Sequence, residues 1–151
     1  MLYLAADHAG FALKEKIKEH LTQKGIPYED IGAHAFDEAD DYPDFAHAAA
    51  KRIAQNPSVN KGILLCGSGA GVAIAANKVK GVYCAQVWTP ELARLARQHD
   101  QVNAIALPAR FVDENTARAA VDAFLEDASE EVPERHLRRF RKVRHIEDEA
   151  V

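Results

Sequence analysis

The sequence has 151 residues, of which 48% are hydrophobic and 28% are charged, which fits one ordinary domain and is too short for two independent cores. Its formal charge of −4 gives no overall attraction to nucleic acid, and no apolar run approaches the roughly 20 residues that span a bilayer. We therefore predict a single domain over residues 1–151, with no membrane partner.

Five short apolar runs predict strands, and segments with the apolar periodicity of a helix separate them along the chain. The first run leads through Asp7-His8-Ala9-Gly10 into a helix whose apolar residues recur every four positions until Gly25. An acidic loop, residues 32–41, precedes a helix that begins at Tyr42-Pro43-Asp44. The predicted strands are residues 2–5, 26–31, 62–65, 82–87 and 104–107, and the later helices are residues 72–78, 90–98 and 117–125.

Strands that alternate with helices of this length favour parallel pairing, because right-handed crossovers place helices on both faces of a sheet. The predicted fold class is therefore α/β, a single Rossmann-like three-layer sandwich around a five-stranded parallel sheet. No repeat or linker interrupts the chain before about residue 130, where the segment 129–133 breaks the pattern.

Polar residues follow the ends of the predicted strands, which is where ligands bind in open parallel sheets. Asp7 and His8 follow the first strand, Cys66 follows the third, and Arg110 follows the fifth. We expect His99 and Asp100, which follow the fourth helix, to lie at the same edge of the sheet. Titratable groups of several kinds would then converge on one site.

A glycine turn, Cys66-Gly67-Ser68-Gly69-Ala70-Gly71, joins the third strand to a helix. Its G-x-G-x-G spacing is one residue short of the dinucleotide fingerprint, and no Gly-Lys-Ser/Thr follows as in a P-loop. Backbone N–H groups at a helix N-terminus still favour negative charge, although close packing of strand and helix explains the glycines equally well. The same helix end favours the thiolate of Cys66 as base or nucleophile, whereas Cys84 lies inside an apolar run and is interpreted as inert.

The cysteine and histidine patterns narrow the chemistry further. Two cysteines cannot form a disulfide framework, and no signal peptide precedes the first strand, so we expect a cytoplasmic location. The seven histidines include no H-x-x-x-H or H-E-x-x-H pair, so we expect no metal. His8 and His99 are candidates for proton transfer, while His20, on the polar side of the first helix, is expected to be solvated.

A basic segment, residues 135–145, holds six Lys or Arg in eleven residues. Such a helix often binds nucleic acid, but Leu137, Phe140 and Val143 form an apolar stripe along it, and acids follow at residues 147–149. A solvated charged face and a set of arginines that clamps a phosphate both remain open.

Together these motifs resemble the type B ribose-5-phosphate isomerases, in the sugar-phosphate isomerase family that also contains galactose-6-phosphate isomerase subunits. The resemblance implies interconversion of ribose 5-phosphate and ribulose 5-phosphate through a cis-enediolate, without metal, nucleotide or other cofactor. It covers residues 1 to about 146 and rests on Asp7-His8-Ala9-Gly10, Asp41-Tyr42-Pro43, the glycine turn with Ala75-Ala76-Asn77-Lys78, Arg97-Gln98-His99, and Arg135-His136-x-x-Arg139.

The resemblance also implies roles for single residues. Cys66 would be the base that moves a proton between C2 and C1, His99 would open the sugar ring, and Asp7 would contact the sugar near the ring oxygen. Ser68 and the backbone of the glycine turn would stabilise the enediolate oxygen. The residues implied to bind the substrate are His8, Tyr42, Gly67, Gly69, Ala70, Gly71, Asp100, Arg110, Arg135 and Arg139.

Members of this family complete each active site with a neighbouring subunit. The resemblance therefore implies a homodimer or a dimer of dimers with shared sites, in which the segment of about residues 130–151 contacts the partner. Arg135 and Arg139, together with His8 and Arg110, would bind the substrate phosphate.

The clearest departure from the family pattern is Asp100, which stands where the family usually has Asn; Trp88-Thr89 and Pro108-Ala109-Arg110 also differ from it. A carboxylate there would repel an anionic substrate, so isomerases of allose, galactose or erythrulose phosphates stay open as alternatives. A second hypothesis is a non-catalytic protein that binds phosphosugars or nucleic acid through the same turn and basic helix. Cys66 and His99 speak against it, because binding alone needs neither a thiolate nor a group that opens a ring.

Overall fold

The computed structural model describes residues 1–126 and 131–149, which form one parallel sheet of five strands flanked by six helices. The sheet order is β2-β1-β3-β5-β4, which confirms the predicted α/β sandwich. The strands are β1 (Leu2–Ala6), β2 (Tyr28–Gly32), β3 (Lys61–Cys66), β4 (Cys84–Gln86) and β5 (Ala104–Pro108). The helices are α1 (His8–Gln23), α2 (Tyr42–Ala54), α3 (Ala70–Ala76), α4 (Pro90–His99), α5 (Glu114–Leu125) and α6 (Glu134–Glu149).

All four strand pairs are parallel, so the sheet has two chemically different edges. We call the edge where the strands end, at residues 6, 32, 66, 86 and 108, the carboxyl edge. The edge where the strands begin, at residues 2, 28, 61, 84 and 104, is the amino edge. Since every helix from α1 to α4 follows a strand and precedes the next, each starts near the carboxyl edge and ends near the amino edge.

The core lies on both faces of the sheet because β3 is buried on both sides. Ile63 and Leu65 pack with a cluster that includes Ile17 and Phe124 on the α1 and α5 face. Leu64 and Cys66 pack instead with a cluster on the α2 and α3 face. The alternation of a strand therefore places the side chain of Cys66 on the α2 and α3 face.

Several elements differ from their predicted bounds by a few residues, and two of them show local contacts at the changed end. The fourth strand is three residues long rather than six, and the Asn77 side chain bonds to both backbone groups of Cys84 where it begins. The fifth helix begins at Glu114, three residues early, because the Asp113 carboxylate accepts a hydrogen bond from the Thr116 N–H and caps it. Residues 129 and 130 of the predicted break at 129–133 lie outside the described residues. No helix in the described ranges is long and apolar enough to cross a membrane.

Helix α6 is fastened to the amino edge of its own chain. The Glu147 carboxylate accepts hydrogen bonds from the Gly81 N–H at 2.7 Å and from the Tyr83 hydroxyl at 2.8 Å. The rings of Tyr83 and Phe140 meet edge to face with centroids 4.9 Å apart, and Lys80 pairs with Asp148 at 2.8 Å. One residue of the apolar stripe predicted on this segment, Phe140, therefore packs against the amino edge of the same chain.

Candidate active site

The carboxyl edge holds two residues directly after β1. The Asp7 carboxylate is buried and caps α1 by accepting a hydrogen bond from the Gly10 N–H at 3.0 Å. The neighbouring His8 side chain is 30% exposed, so one residue is fixed within the fold and the next is open to a ligand.

Cys66, at the end of β3, lies inside the glycine turn. It is only 4% exposed, and its Sγ accepts a hydrogen bond from the Gly69 N–H at 3.2 Å. Gly69 has a φ of +76°, a left-handed conformation that glycine adopts without steric cost. This hydrogen bond fixes the sulfur atom of Cys66 inside the turn.

Arg110 and Tyr42 cover the bare glycines of this turn. A Cβ on Gly67 would lie 2.9 Å from Nη1 of Arg110, and one on Gly71 would lie 2.8 Å from the ring of Tyr42. The Arg110 N–H also donates to the Gly67 carbonyl at 3.0 Å. The structure therefore brings the guanidinium, the phenol and the thiol to one turn, as the sequence predicts.

Ser68 is the exposed residue of the turn. Its hydroxyl accepts a hydrogen bond from the Ala70 N–H at 3.3 Å, and its carbonyl accepts one from the Gln86 side chain at 2.6 Å. These two bonds fix the Ser68 backbone while its hydroxyl proton remains able to turn toward a bound oxygen.

A carboxylate that the sequence analysis did not single out lies beside His8. Asp40 Oδ1 is 2.7 Å from His8 Nδ1 and also accepts a hydrogen bond from the His8 N–H at 2.9 Å. Ligand atoms of Asp7, His8 and Asp40 all lie within 4.8 Å of one another, a spacing that a metal ion could use. The 2.7 Å contact, however, has the length of a hydrogen bond between ring and carboxylate, so we interpret the group as an ion pair with a neighbouring acid.

The expectation that His99 and Asp100 share an edge with Cys66 is wrong within one chain. Helix α4 starts after β4 at the carboxyl edge and carries His99, its last residue, and Asp100, its C-cap, to the amino edge. A ten-residue helix is about 15 Å long, so the separation is built into the crossover.

The amino edge has its own cluster, in which His99 stacks on His136 of α6. The two rings are nearly parallel, at 9°, with centroids 4.0 Å apart. His136 is buried, and burial together with the charges of His99, Arg135 and Arg139 lowers its pKa. These surroundings therefore favour the neutral form of His136.

Arg135 and Arg139 lie one turn apart on α6, beside this pair, and both are exposed. The structure thus brings His99, Asp100, Arg135 and Arg139 together at the amino edge, and the remaining predicted site residues together at the carboxyl edge. His136 was noted in sequence only as part of a motif, and nothing in the local pattern predicted that it stacks on His99.

A cavity of about 650 Å³ lies under α6, and it contains none of the predicted site residues. Its walls include both cations and anions, among them Lys80 and Asp148, which pair with each other. We interpret it as space left where α6 docks on the amino edge.

The chain is similar to known proteins over most of its length. Residues 2–143 match the family described as Ribose/Galactose Isomerase. The chain is 45% identical over 149 residues to the probable ribose-5-phosphate isomerase B of Mycoplasma genitalium, covering 99% of this chain and 97% of that protein. It is 46% identical over 139 residues to the ribose-5-phosphate isomerase B of Mycobacterium tuberculosis, covering 92% and 85%.

Solved structures are similar over the same range. The crystal structure of ribose-5-phosphate isomerase B from Mycoplasma genitalium with bound ribulose-5-phosphate has a TM-score of 0.92 and 44% identity, covering 98% of this chain and 96% of that chain. The Clostridium thermocellum ribose-5-phosphate isomerase B has a TM-score of 0.91 and 35% identity, covering 99% of each chain.

Proposed function

The chain belongs to the ribose/galactose isomerase family, and on that premise we propose that it interconverts ribose 5-phosphate and ribulose 5-phosphate. The observation that carries the proposal is the buried Cys66 thiol held within the glycine turn, beside a guanidinium. A buried thiol that accepts a backbone hydrogen bond is suited to proton transfer. The chain that carries this thiol is similar to an isomerase whose crystal structure contains ribulose-5-phosphate.

In the reaction, the Cys66 thiolate removes the proton at C2 of the open aldose and returns it to C1. The hydroxyl proton moves from O2 to O1, so the ketose contains the same atoms as the aldose. Negative charge develops on the enediolate oxygens, where Ser68 and the N–H groups of the turn would stabilise it. Asp7 would contact the sugar near its ring oxygen, and His99 would transfer the proton that opens the ring.

The two edges of the sheet would belong to one site only across two copies of the chain. Cys66 lies at one edge and His99 at the other, and opposite edges of one sheet cannot face the same small sugar. Large apolar side chains are exposed in the loops of the carboxyl edge, including Trp88 at 51% and Phe111 at 76%. A second copy that covers them would remove apolar surface from water and present its His99 to this Cys66.

The phosphate would bind between the two copies. His8 and Arg110 would contribute from the carboxyl edge, and Arg135 and Arg139 from the partner's amino edge. This arrangement makes the smallest active assembly a homodimer, and it is equally compatible with a dimer of such dimers. Both cysteines are free thiols, which fits our proposal that the protein works in the reducing cytosol.

The experiment that tests the proposal is ketose formation from ribose 5-phosphate in the presence of EDTA, with Cys66→Ala and Cys84→Ala as a matched pair. We expect Cys66→Ala to lower kcat about 10³-fold, as removal of a general base does, and Cys84→Ala to retain most of the activity. Cys84 is the control because it is buried away from the turn, and burial raises the pKa of its thiol to about 12.

The outcomes separate the alternatives. Turnover of allose, galactose or erythrulose phosphate in place of ribose 5-phosphate would keep the mechanism and replace the substrate, with Asp100 as the first residue to examine. No turnover of any aldose phosphate would contradict the proposal and favour the non-catalytic binding protein. Loss of activity in EDTA would contradict the proposed metal-free mechanism.

A further inference from the structure

Asp40 is an acid whose side chain bonds to His8 of the candidate site. It lies in the loop between β2 and α2, and its side chain is 8% exposed. Its Oδ1 accepts hydrogen bonds from both the backbone N–H of His8 and the ring Nδ1 of His8, at 2.9 and 2.7 Å. One oxygen atom therefore holds the main chain and the ring of His8 together.

The bonding fixes the protonation pattern of the imidazole. An ionised carboxylate can only accept, so Nδ1 must carry the proton in this contact, and Nε2 is the ring nitrogen left for other groups. Oδ2 of Asp40 is also buried and has no hydrogen-bond partner among the described residues. A positive charge on His8 is thus the nearest compensation for the buried carboxylate.

Charges from the surrounding elements act on His8 in both directions. The hydrogen bond from Asp40 is the largest influence and raises the pKa of His8, and the charges of Asp7 and Asp40 add to it. Partial burial of the ring and the charge of Arg110, beyond β5, lower it. The result is a pKa above the ordinary value for histidine.

We propose that Asp40 is a positioning residue that keeps His8 as an imidazolium with Nε2–H free to bind an anionic oxygen of the substrate. The inference rests on the proposed function, in which His8 binds the phosphate. Asp40 itself does not contact the substrate. It acts by making His8 a cation at a pH where an ordinary histidine is largely neutral.

Binding of the substrate phosphate should weaken as the pH rises. A protonated His8 donates a charge-assisted hydrogen bond to the phosphate, and this bond weakens as the pH rises through the pKa of His8. Without the charge of Asp40 that pKa falls, so binding should weaken at a lower pH. The effect belongs in KM, because the phosphate contact is made in both the bound substrate and the transition state.

The test compares Asp40→Asn with Asp37→Asn. Asparagine keeps an oxygen that can accept from Nδ1 but removes the charge, whereas Asp37 is an exposed acid of the same loop whose carboxylate accepts only from the Ala39 N–H. We expect Asp40→Asn to raise KM for ribose 5-phosphate about fivefold near pH 7.5 with kcat within about twofold, and Asp37→Asn to leave both unchanged. The rise of KM with pH should begin at a lower pH in Asp40→Asn alone.

A second measurement needs no substrate. Titration of the His8 ring protons by NMR, assigned with His8→Asn, should show a pKa above the ordinary value in the wild type and a lower one in Asp40→Asn. A wild-type His8 that titrates at or below the ordinary value would overturn the proposal, even if Asp40→Asn did not fold. So would an Asp40→Asn variant with the wild-type KM profile. A wild type that titrates as expected but isomerises nothing would instead overturn the proposed function.

Discussion

The two edges of the sheet differ in what fixes their functional groups. At the carboxyl edge the groups are set by backbone: Gly69 donates to Cys66, Arg110 donates to Gly67, and Asp7 caps α1. At the amino edge they are set by side chains from two helices that stack, as His99 does on His136. The carboxyl edge has a thiol, and the amino edge has two arginines and a stacked histidine pair. Each therefore carries part of the machinery that our mechanism requires, and neither carries all of it.

The two edges therefore differ in how firmly their functional groups are held. A turn built from backbone bonds tolerates little movement, which suits a base that must meet a carbon atom at a defined distance. A helix fastened by a few side chains, such as α6 with Glu147 and Phe140, can settle against a second copy while it keeps its own contacts. Substitutions at the two edges test this division.

The strongest test places two substitutions, Cys66→Ala and His99→Asn, on different chains of one dimer. Cys66→Ala and His99→Asn should each be nearly inactive as homodimers, because each damages both sites. A mixed dimer isolated through two different affinity tags has one site with both defects and one with neither. It should recover about half of the wild-type kcat, since one of two equivalent sites is intact.

The measurement is ketose formation by the doubly tagged species against each single variant at equal concentration. A tagged wild-type dimer controls for the tags and the purification. If the mixed dimer is as inactive as its parents, the two edges do not share a site and the division between copies is wrong.

The second test separates neighbouring arginines of α6. Arg135 and Arg139 lie close enough to His136 to lower its pKa. Arg138 is the adjacent arginine of the same helix, and all three side chains are exposed. Arg139→Ala should raise KM for ribose 5-phosphate about 10- to 100-fold, as expected for a lost charge-assisted bond to phosphate.

Arg138→Ala is the matched control, because it removes the same charge from the same helix at the adjacent position. We expect its KM to stay within about twofold of the wild type. Equal effects of the two substitutions in steady-state kinetics would show that the helix contributes only its overall positive charge.

The third test concerns Asp100, which lies exposed at the C-cap of α4 beside His99. A carboxylate there repels an anionic substrate, and one like-charge contact near the surface is worth about 1 kcal/mol. Asp100→Asn should therefore raise kcat/KM for ribose 5-phosphate about fivefold. An unchanged or lower kcat/KM would show that Asp100 is tolerated or serves another sugar phosphate, which assays with allose, galactose and erythrulose phosphates would reveal.

The sequence predicted the carboxyl edge well because its residues follow strands directly. Once the parallel sheet is recognised, the end of β1 must bring Asp7 near Cys66 at the end of β3. The burial of Cys84 was also predicted correctly, since an apolar run predicts burial.

Long-range pairing was not predictable from local pattern. His20 was expected to be solvated, but its ring lies 2.8 Å from Asp122 of α5 and its side chain is only 12% exposed. Asp40 sits in an acidic loop where several carboxylates look equivalent in sequence, and only the fold shows which of them reaches His8. The edge assigned to His99 was wrong because a residue after a helix was treated like a residue after a strand.

The substitution Glu147→Gln, for which we expect the smallest effect, tests whether contacts within its own chain hold α6 in place. Burial and the hydrogen bond to Glu147 raise the pKa of Tyr83 to about 12. Glu147→Gln should therefore lower this pKa part of the way toward its ordinary value. Because it weakens the same hydrogen bond, it should also reduce the free energy of unfolding by about 1 kcal/mol. Alkaline ultraviolet titration, with Tyr83→Phe to assign the signal, measures the pKa. Glu149→Gln, which removes an exposed acid near the end of the same helix, should change neither quantity. Equal titration of Tyr83 in all three proteins would mean that α6 is not held at the amino edge by its own chain, and that the arrangement of Arg135, Arg139 and His99 depends on the partner copy instead.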